Sequence, residues 1–85
     1  MLKKTTKGHN YIEVTYSDMT LKLNGGGICD SCSPPKMMQH GYLIPVLNAV
    51  YCEHCFNRWR DSAEYYEEDR EYEAYKTEGF IKALK

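Results

Sequence analysis

The chain has 85 residues, a mass of 9.9 kDa and a formal net charge of −1. That length allows one small domain and excludes a large multidomain enzyme, while 42% hydrophobic and 27% charged residues exclude a wholly disordered chain. The near-neutral charge gives no gross drive towards nucleic acid or anionic membrane, and no stretch approaches the roughly 18 apolar residues of a membrane span.

Residues 1–10 carry Lys3, Lys4 and Lys7 with little apolar content and read as a flexible tail. No apolar run follows this basic start, so a signal peptide is not expected and the expected compartment is the cytoplasm. From Tyr11 the pattern alternates. Ile12, Val14 and Tyr16 share one face, and Met19, Leu21 and Leu23 repeat the alternation after Ser17 and Asp18. Folding at Ser17 and Asp18 sets Tyr16 opposite Met19, Val14 opposite Leu21 and Ile12 opposite Leu23, which predicts an N-terminal β-hairpin over residues 11–24. Asn24, Gly25, Gly26 and Gly27 then form a hinge. No Gly-Lys-Ser/Thr follows them, so they are not a phosphate cradle.

Beyond the glycines lies the first cysteine pair, Cys29-Asp30-Ser31-Cys32, left through an irregular loop at Ser33, Pro34, Pro35 and Lys36. A second strand pair is expected at residues 42–46 and 49–51. It turns near Leu47 and Asn48, where Asn tolerates the left-handed conformation, and Pro45 marks an edge or a bulge. The second pair, Cys52-Glu53-His54-Cys55, opens a helix, because Cys55, Phe56, Trp59 and Ala63 follow helical spacing and Arg60 and Glu64 form an i,i+4 pair. Residues 64–85 read as an acidic helical extension that Gly79 weakens or ends. The expected organisation is one α+β zinc-binding domain over residues 11–85, with its core at 28–63.

Two Cys-x-x-Cys turns separated by 19 residues offer four thiolates to one metal, which suits tetrahedral zinc. Cys29, Cys32, Cys52 and Cys55 are therefore the expected ligands of a single structural Zn2+. Iron shares this ligand count. Two disulfides would need an oxidising compartment, and a redox Cys-x-x-Cys normally stands alone beside a βαβ pattern. His40 and His54 could substitute as ligands, but four cysteines already complete the site, so each reads as a polar surface residue or as a neighbour of the ligands.

The order of knuckle, hairpin and helix through the second Cys-x-x-Cys resembles a treble-clef zinc finger over residues 28–63. The run Tyr51-Cys52-Glu53-His54-Cys55-Phe56-Asn57-Arg58-Trp59 is similar to the second knuckle of LIM and GATA-type fingers. The resemblance implies that the four cysteines are the ligands. It does not extend further. GATA fingers continue into a basic tail and LIM modules carry two zinc sites in tandem, whereas this chain continues into an acidic helix and has one site.

Charge is unevenly divided. Residues 1–60 carry a net +3 and residues 61–85 a net −4. In the second part Tyr65, Tyr66, Tyr72 and Tyr75 are interleaved with Glu67, Glu68, Asp69, Glu71 and Glu73, a composition suited to docking a basic protein. The expected function is thus a non-enzymatic zinc-binding interaction module, in the style of a small bacterial or phage regulator. The alternative is a nucleic-acid-binding finger using Lys36, Arg58 and Arg60 with the tail lysines. Four thiolates leave no open metal position for catalysis, so an enzyme is not expected. An unpaired strand edge also admits a homodimer.

Overall fold

A computed structural model describes residues 2–23, 27–34 and 36–85. Four strands, β1 (Leu2–Lys4), β2 (Asn10–Thr15), β3 (His40–Ile44) and β4 (Ala49–Tyr51), form one antiparallel sheet in that order. Two helices follow, α1 (Glu53–Ser62) and α2 (Arg70–Leu84).

Strand alternation sorts the residues into two faces. Pairing of Leu2 with Ile12, Ile12 with Leu43 and Leu43 with Val50 puts these apolar side chains on one face together with Val14. Met19, Met38 and the end of α2, through Phe80, Ile81 and Leu84, pack against the same cluster. Lys3, Tyr11, Glu13, Tyr42 and Tyr51 occupy the opposite face. There Phe56 of α1 stacks on Tyr42 at 4.4 Å between ring centroids and lies 4.8 Å from Tyr11.

The N-terminal part differs from the sequence expectation. Residues 2–4 are a strand rather than a tail, and β2 pairs with β1 and β3 instead of with residues 19–23. Asp18–Lys22 is a π-helical turn. Ser17 and Asp18 lack the glycine that a tight hairpin turn favours. Instead, the backbone N–H of Thr15 donates to Asp18 Oδ2 at 3.0 Å, and that of Asp18 donates to Thr15 Oγ1 at 3.2 Å. Such local bonds end a strand and start a helical turn. Met19 is thereby buried, while Leu21 is 79% exposed rather than opposite Val14.

The hinge expected at Asn24, Gly25 and Gly26 lies outside the described residues. Gly27 is required: its φ is +68°, and a side chain there would collide with the Tyr16 ring.

The β3–β4 hairpin turns at Asn48, whose φ is +53° and whose N–H donates to Pro45 O at 3.0 Å. β3 stops at Ile44, and Pro45 begins a 3-10 turn (Pro45–Leu47), so the proline sits past the strand end rather than on an edge or bulge. The expected Arg60–Glu64 pair is absent because α1 stops at Ser62. Arg60 bonds Asp61 at 3.3 Å, and Glu64 accepts from the Tyr66 hydroxyl at 2.9 Å.

α2 continues through Gly79. A methyl group at Gly79 meets no atom within 4 Å. Gly79→Ala is therefore expected to stabilise the fold by about 0.5–1 kcal/mol, raising the melting midpoint by about 3–6 °C. An unchanged or lower midpoint would show that the helix is not formed there.

Candidate metal centre

The two cysteine pairs arrive on different backbone. Cys29 follows Gly27 in a loop closed on itself by the Ile28–Met37 bridge, by Cys29 N–H to Lys36 O at 2.9 Å and by Met38 N–H to Gly27 O at 2.9 Å. Cys52 is the cap residue of α1, in extended conformation after β4, and Cys55 stands one helical turn later. Phe56 N–H donates to Cys52 O at 2.8 Å, fixing that turn.

These constraints bring the four Sγ atoms within 4.8 Å of one another. Cys32 Sγ lies 3.8 Å from Cys52 Sγ and 3.6 Å from Cys55 Sγ. A tetrahedral thiolate site with metal–sulfur bonds of about 2.3 Å has sulfur–sulfur edges of about 3.8 Å, so these two edges have the length such a site requires. Cys29, Cys52 and Cys55 are buried and belong to the apolar core, and Cys32 is half-buried. The four cysteines are positioned to bind a metal ion.

Their proton affinities point the same way. Burial alone would raise the Cys29 thiol, but backbone N–H groups of Cys52 and Ser31 aimed at its sulfur outweigh it and lower the thiol to about 7. The first of these bonds is 3.2 Å long. Hydrogen bonds to the neighbouring Cys55 and Cys29 sulfurs push Cys32 up, and burial pushes Cys55 up. Without a cation, the cluster favours a thiolate at Cys29 and opposes one at Cys32 and at Cys55. A bound dication relieves that conflict, and thiolate coordination releases the protons. Neither His40 nor His54 joins the cluster. Both are exposed, and His40 lies 3.3 Å from Glu13.

No protein-family model, curated protein or solved structure matches this chain.

The acidic segment divides on folding. Tyr66, Glu67, Glu68, Glu71, Tyr72 and Tyr75 are exposed, with Tyr75 at 75%, and Asp69 is half-buried. Two expected surface residues turn inward instead. Tyr65 packs edge-on against His9 at 5.5 Å, and Glu73 is only 4% exposed because it faces β2 from the inner side of α2.

The basic candidates divide too. Lys3 pairs with Glu13, whose hydrogen bond holds the lysine above its ordinary range. Lys4 donates to Asn10 Oδ1 at 2.7 Å. Lys7 donates to the Asp61 and Ala63 carbonyls at 2.9 and 2.8 Å, capping the C-terminus of α1. Arg60 lies 6.0 Å over the Phe56 ring. Lys36 and Arg58 are exposed, with no ion pair among the described residues.

Sequence reasoning passed over a second group of residues. His9 is buried 4.8 Å from Trp59, and Asn10 and Thr77 join Glu73 in a buried polar contact between β2 and α2. One signal was present: Glu73, Thr77, Phe80, Ile81 and Leu84 share helical spacing, so the first two are the polar end of an inward stripe.

Proposed function

We propose that the chain is a non-enzymatic, zinc-binding interaction module of treble-clef type. Its exposed acidic and tyrosine-rich face would engage a basic protein. The observation that carries the reading is the convergence of four cysteine sulfurs, three of them buried, in the wall of the core. Four thiolates complete a tetrahedral sphere and leave no position for substrate, which suits a structural ion. Zinc fits such a set without redox chemistry, and iron is the competing occupant. A knuckle-like loop, a β-hairpin and a helix begun at the second cysteine pair support the treble-clef description.

The partner assignment rests on charge and side-chain type. Tyr66, Tyr72 and Tyr75 offer large, stiff contact area, and Glu67, Glu68 and Glu71 surround them with negative charge. Nucleic-acid binding is less well supported, because among its candidate residues Lys3, Lys4 and Lys7 are engaged within the fold and Arg60 pairs with Asp61, which leaves Lys36 and Arg58 for phosphates.

Metal analysis of protein purified without added metal is expected to give one zinc per chain. Affinity capture from the native host should retain basic proteins on the wild type and lose them on E67K/E68K/E71K, with metal content unchanged. Capture that survives this reversal would reject the acidic face. Capture abolished by nuclease would favour the nucleic-acid reading.

A further inference from the structure

The metal centre is assembled from two separate pieces of backbone, the loop carrying Cys29 and Cys32 and the strand-to-helix junction carrying Cys52 and Cys55. Apart from the contacts among the sulfurs themselves, three described hydrogen bonds join these pieces. Asp30 N–H donates to Val50 O at 2.9 Å, Val50 N–H donates to Asp30 Oδ2 at 2.8 Å, and Cys52 N–H donates to Cys29 Sγ at 3.2 Å. Two of the three belong to Asp30. It directly follows one ligand, and Val50 precedes another by two residues.

β4 is the last strand of the sheet, so its outer N–H and C=O groups would otherwise face solvent. Asp30 takes both from Val50, using its own backbone N–H and its side chain, and so acts as a one-residue extension of the sheet. The carboxylate supplies half of that clamp, because Asp30 Oδ2, and not the Asp30 carbonyl, accepts the Val50 N–H. An aspartate has the reach to fold back on this edge, and an asparagine presents the same acceptor oxygen.

Resting on the metal-binding reading above, we infer that Asp30 is a positioning residue for the metal centre. Its clamp on Val50 holds the first cysteine pair in register with the second before the ion arrives. Residues that orient a metal site without touching the metal typically change affinity by about 10–100-fold when removed. Asp30 is exposed, where water competes for its oxygens, so the low end applies.

The test is zinc competition against a chromophoric chelator on the full chain, with cobalt(II) absorption as a second readout. D30A is expected to bind zinc about tenfold more weakly while keeping the intense bands of tetrahedral thiolate-bound cobalt. D30N should stay within about twofold of the wild type, since it retains the acceptor. E78A, which removes an exposed carboxylate on α2, should bind as the wild type does.

Wild-type affinity in D30A would overturn the assignment. So would D30N as weak as D30A, which would make the effect one of charge, or loss of the cobalt bands in D30A, which would mean a broken ligand set. Failure of the wild-type chain to bind either ion would instead defeat the metal-binding reading, and the role of Asp30 with it.

Discussion

Chelation of the metal is expected to lower the melting midpoint of the chain by about 15 °C or more and to abolish its near-UV dichroism. The size follows from linkage. A metal held about a thousandfold above its dissociation constant stabilises the folded state by about 4 kcal/mol, and in a domain of this length each kcal/mol moves the midpoint by about 4–8 °C. Structural thiolate sites bind more tightly than that margin requires, so the figure is a floor. The core cannot easily absorb the loss, because Cys29, Cys52 and Cys55 are themselves core residues packed with Ile12, Val14, Met19, Met38 and Leu43. Acid should act as chelator does. Bound thiolates titrate below their ordinary range, so their contribution is present at neutral pH and is lost as falling pH protonates them.

Two cysteine substitutions separate coordination from packing. Cys52 is buried and Cys32 is half-buried. If the cysteines act only as small apolar groups, Cys32→Ser is nearly silent and Cys52→Ser costs about 1–2 kcal/mol. If they act as ligands, either change removes one quarter of the coordination sphere and both collapse the midpoint alike. Equal, large losses are the expected result. A silent Cys32→Ser, or an unchanged midpoint in chelator, would remove the metal from the account of stability.

The cysteine spacing made the metal centre legible because coordination depends on few residues and short loops. Two Cys-x-x-Cys turns specify where sulfurs can meet almost regardless of the intervening fold. The β3–β4 hairpin was legible for a similar reason, since Asn48 marks its left-handed turn locally. The partner of β2 was not. Its alternation identified a strand and an inward face, but Leu21 and Leu23 offered as good a match as the true neighbours, Leu2 and Leu43. What decided between them was the exchange of hydrogen bonds between Thr15 and Asp18, a side-chain event that hydrophobic periodicity does not register. The N-terminal segment misled by composition. Lys3, Lys4 and Lys7 read as a solvated tail, yet each finds an acceptor within the fold.

Glu73 shows the same limit most sharply, and its removal is expected to cost about 2–3 kcal/mol. In sequence it stands among exposed acids. In the fold its Oε2 accepts the backbone N–H of Asn10 at 3.0 Å, while Asn10 Nδ2 donates to Thr77 Oγ1 at 3.1 Å and the Thr77 hydroxyl donates to Glu73 O at 2.6 Å. Glu73 and Thr77 are 4% and 5% exposed, so water cannot replace a lost partner. Glu73→Ala strands the Asn10 N–H, which costs about 1–3 kcal/mol by itself, and leaves a void between α2 and β2. Glu73→Gln keeps an acceptor oxygen at the same reach and should cost under about 1 kcal/mol. Glu71→Ala, on the exposed side of the same helix, should stay within about 0.5 kcal/mol. Thermal or urea melts of the three zinc-loaded variants decide the matter. A harmless Glu73→Ala would place the carboxylate back on the exposed acidic face of α2. A Gln variant as damaged as the Ala variant would mean that the negative charge, not the hydrogen bond to Asn10, holds α2 against the sheet. A double-mutant cycle with Thr77→Val should then return a coupling above about 0.5 kcal/mol if Asn10 links the two side chains as the geometry has it.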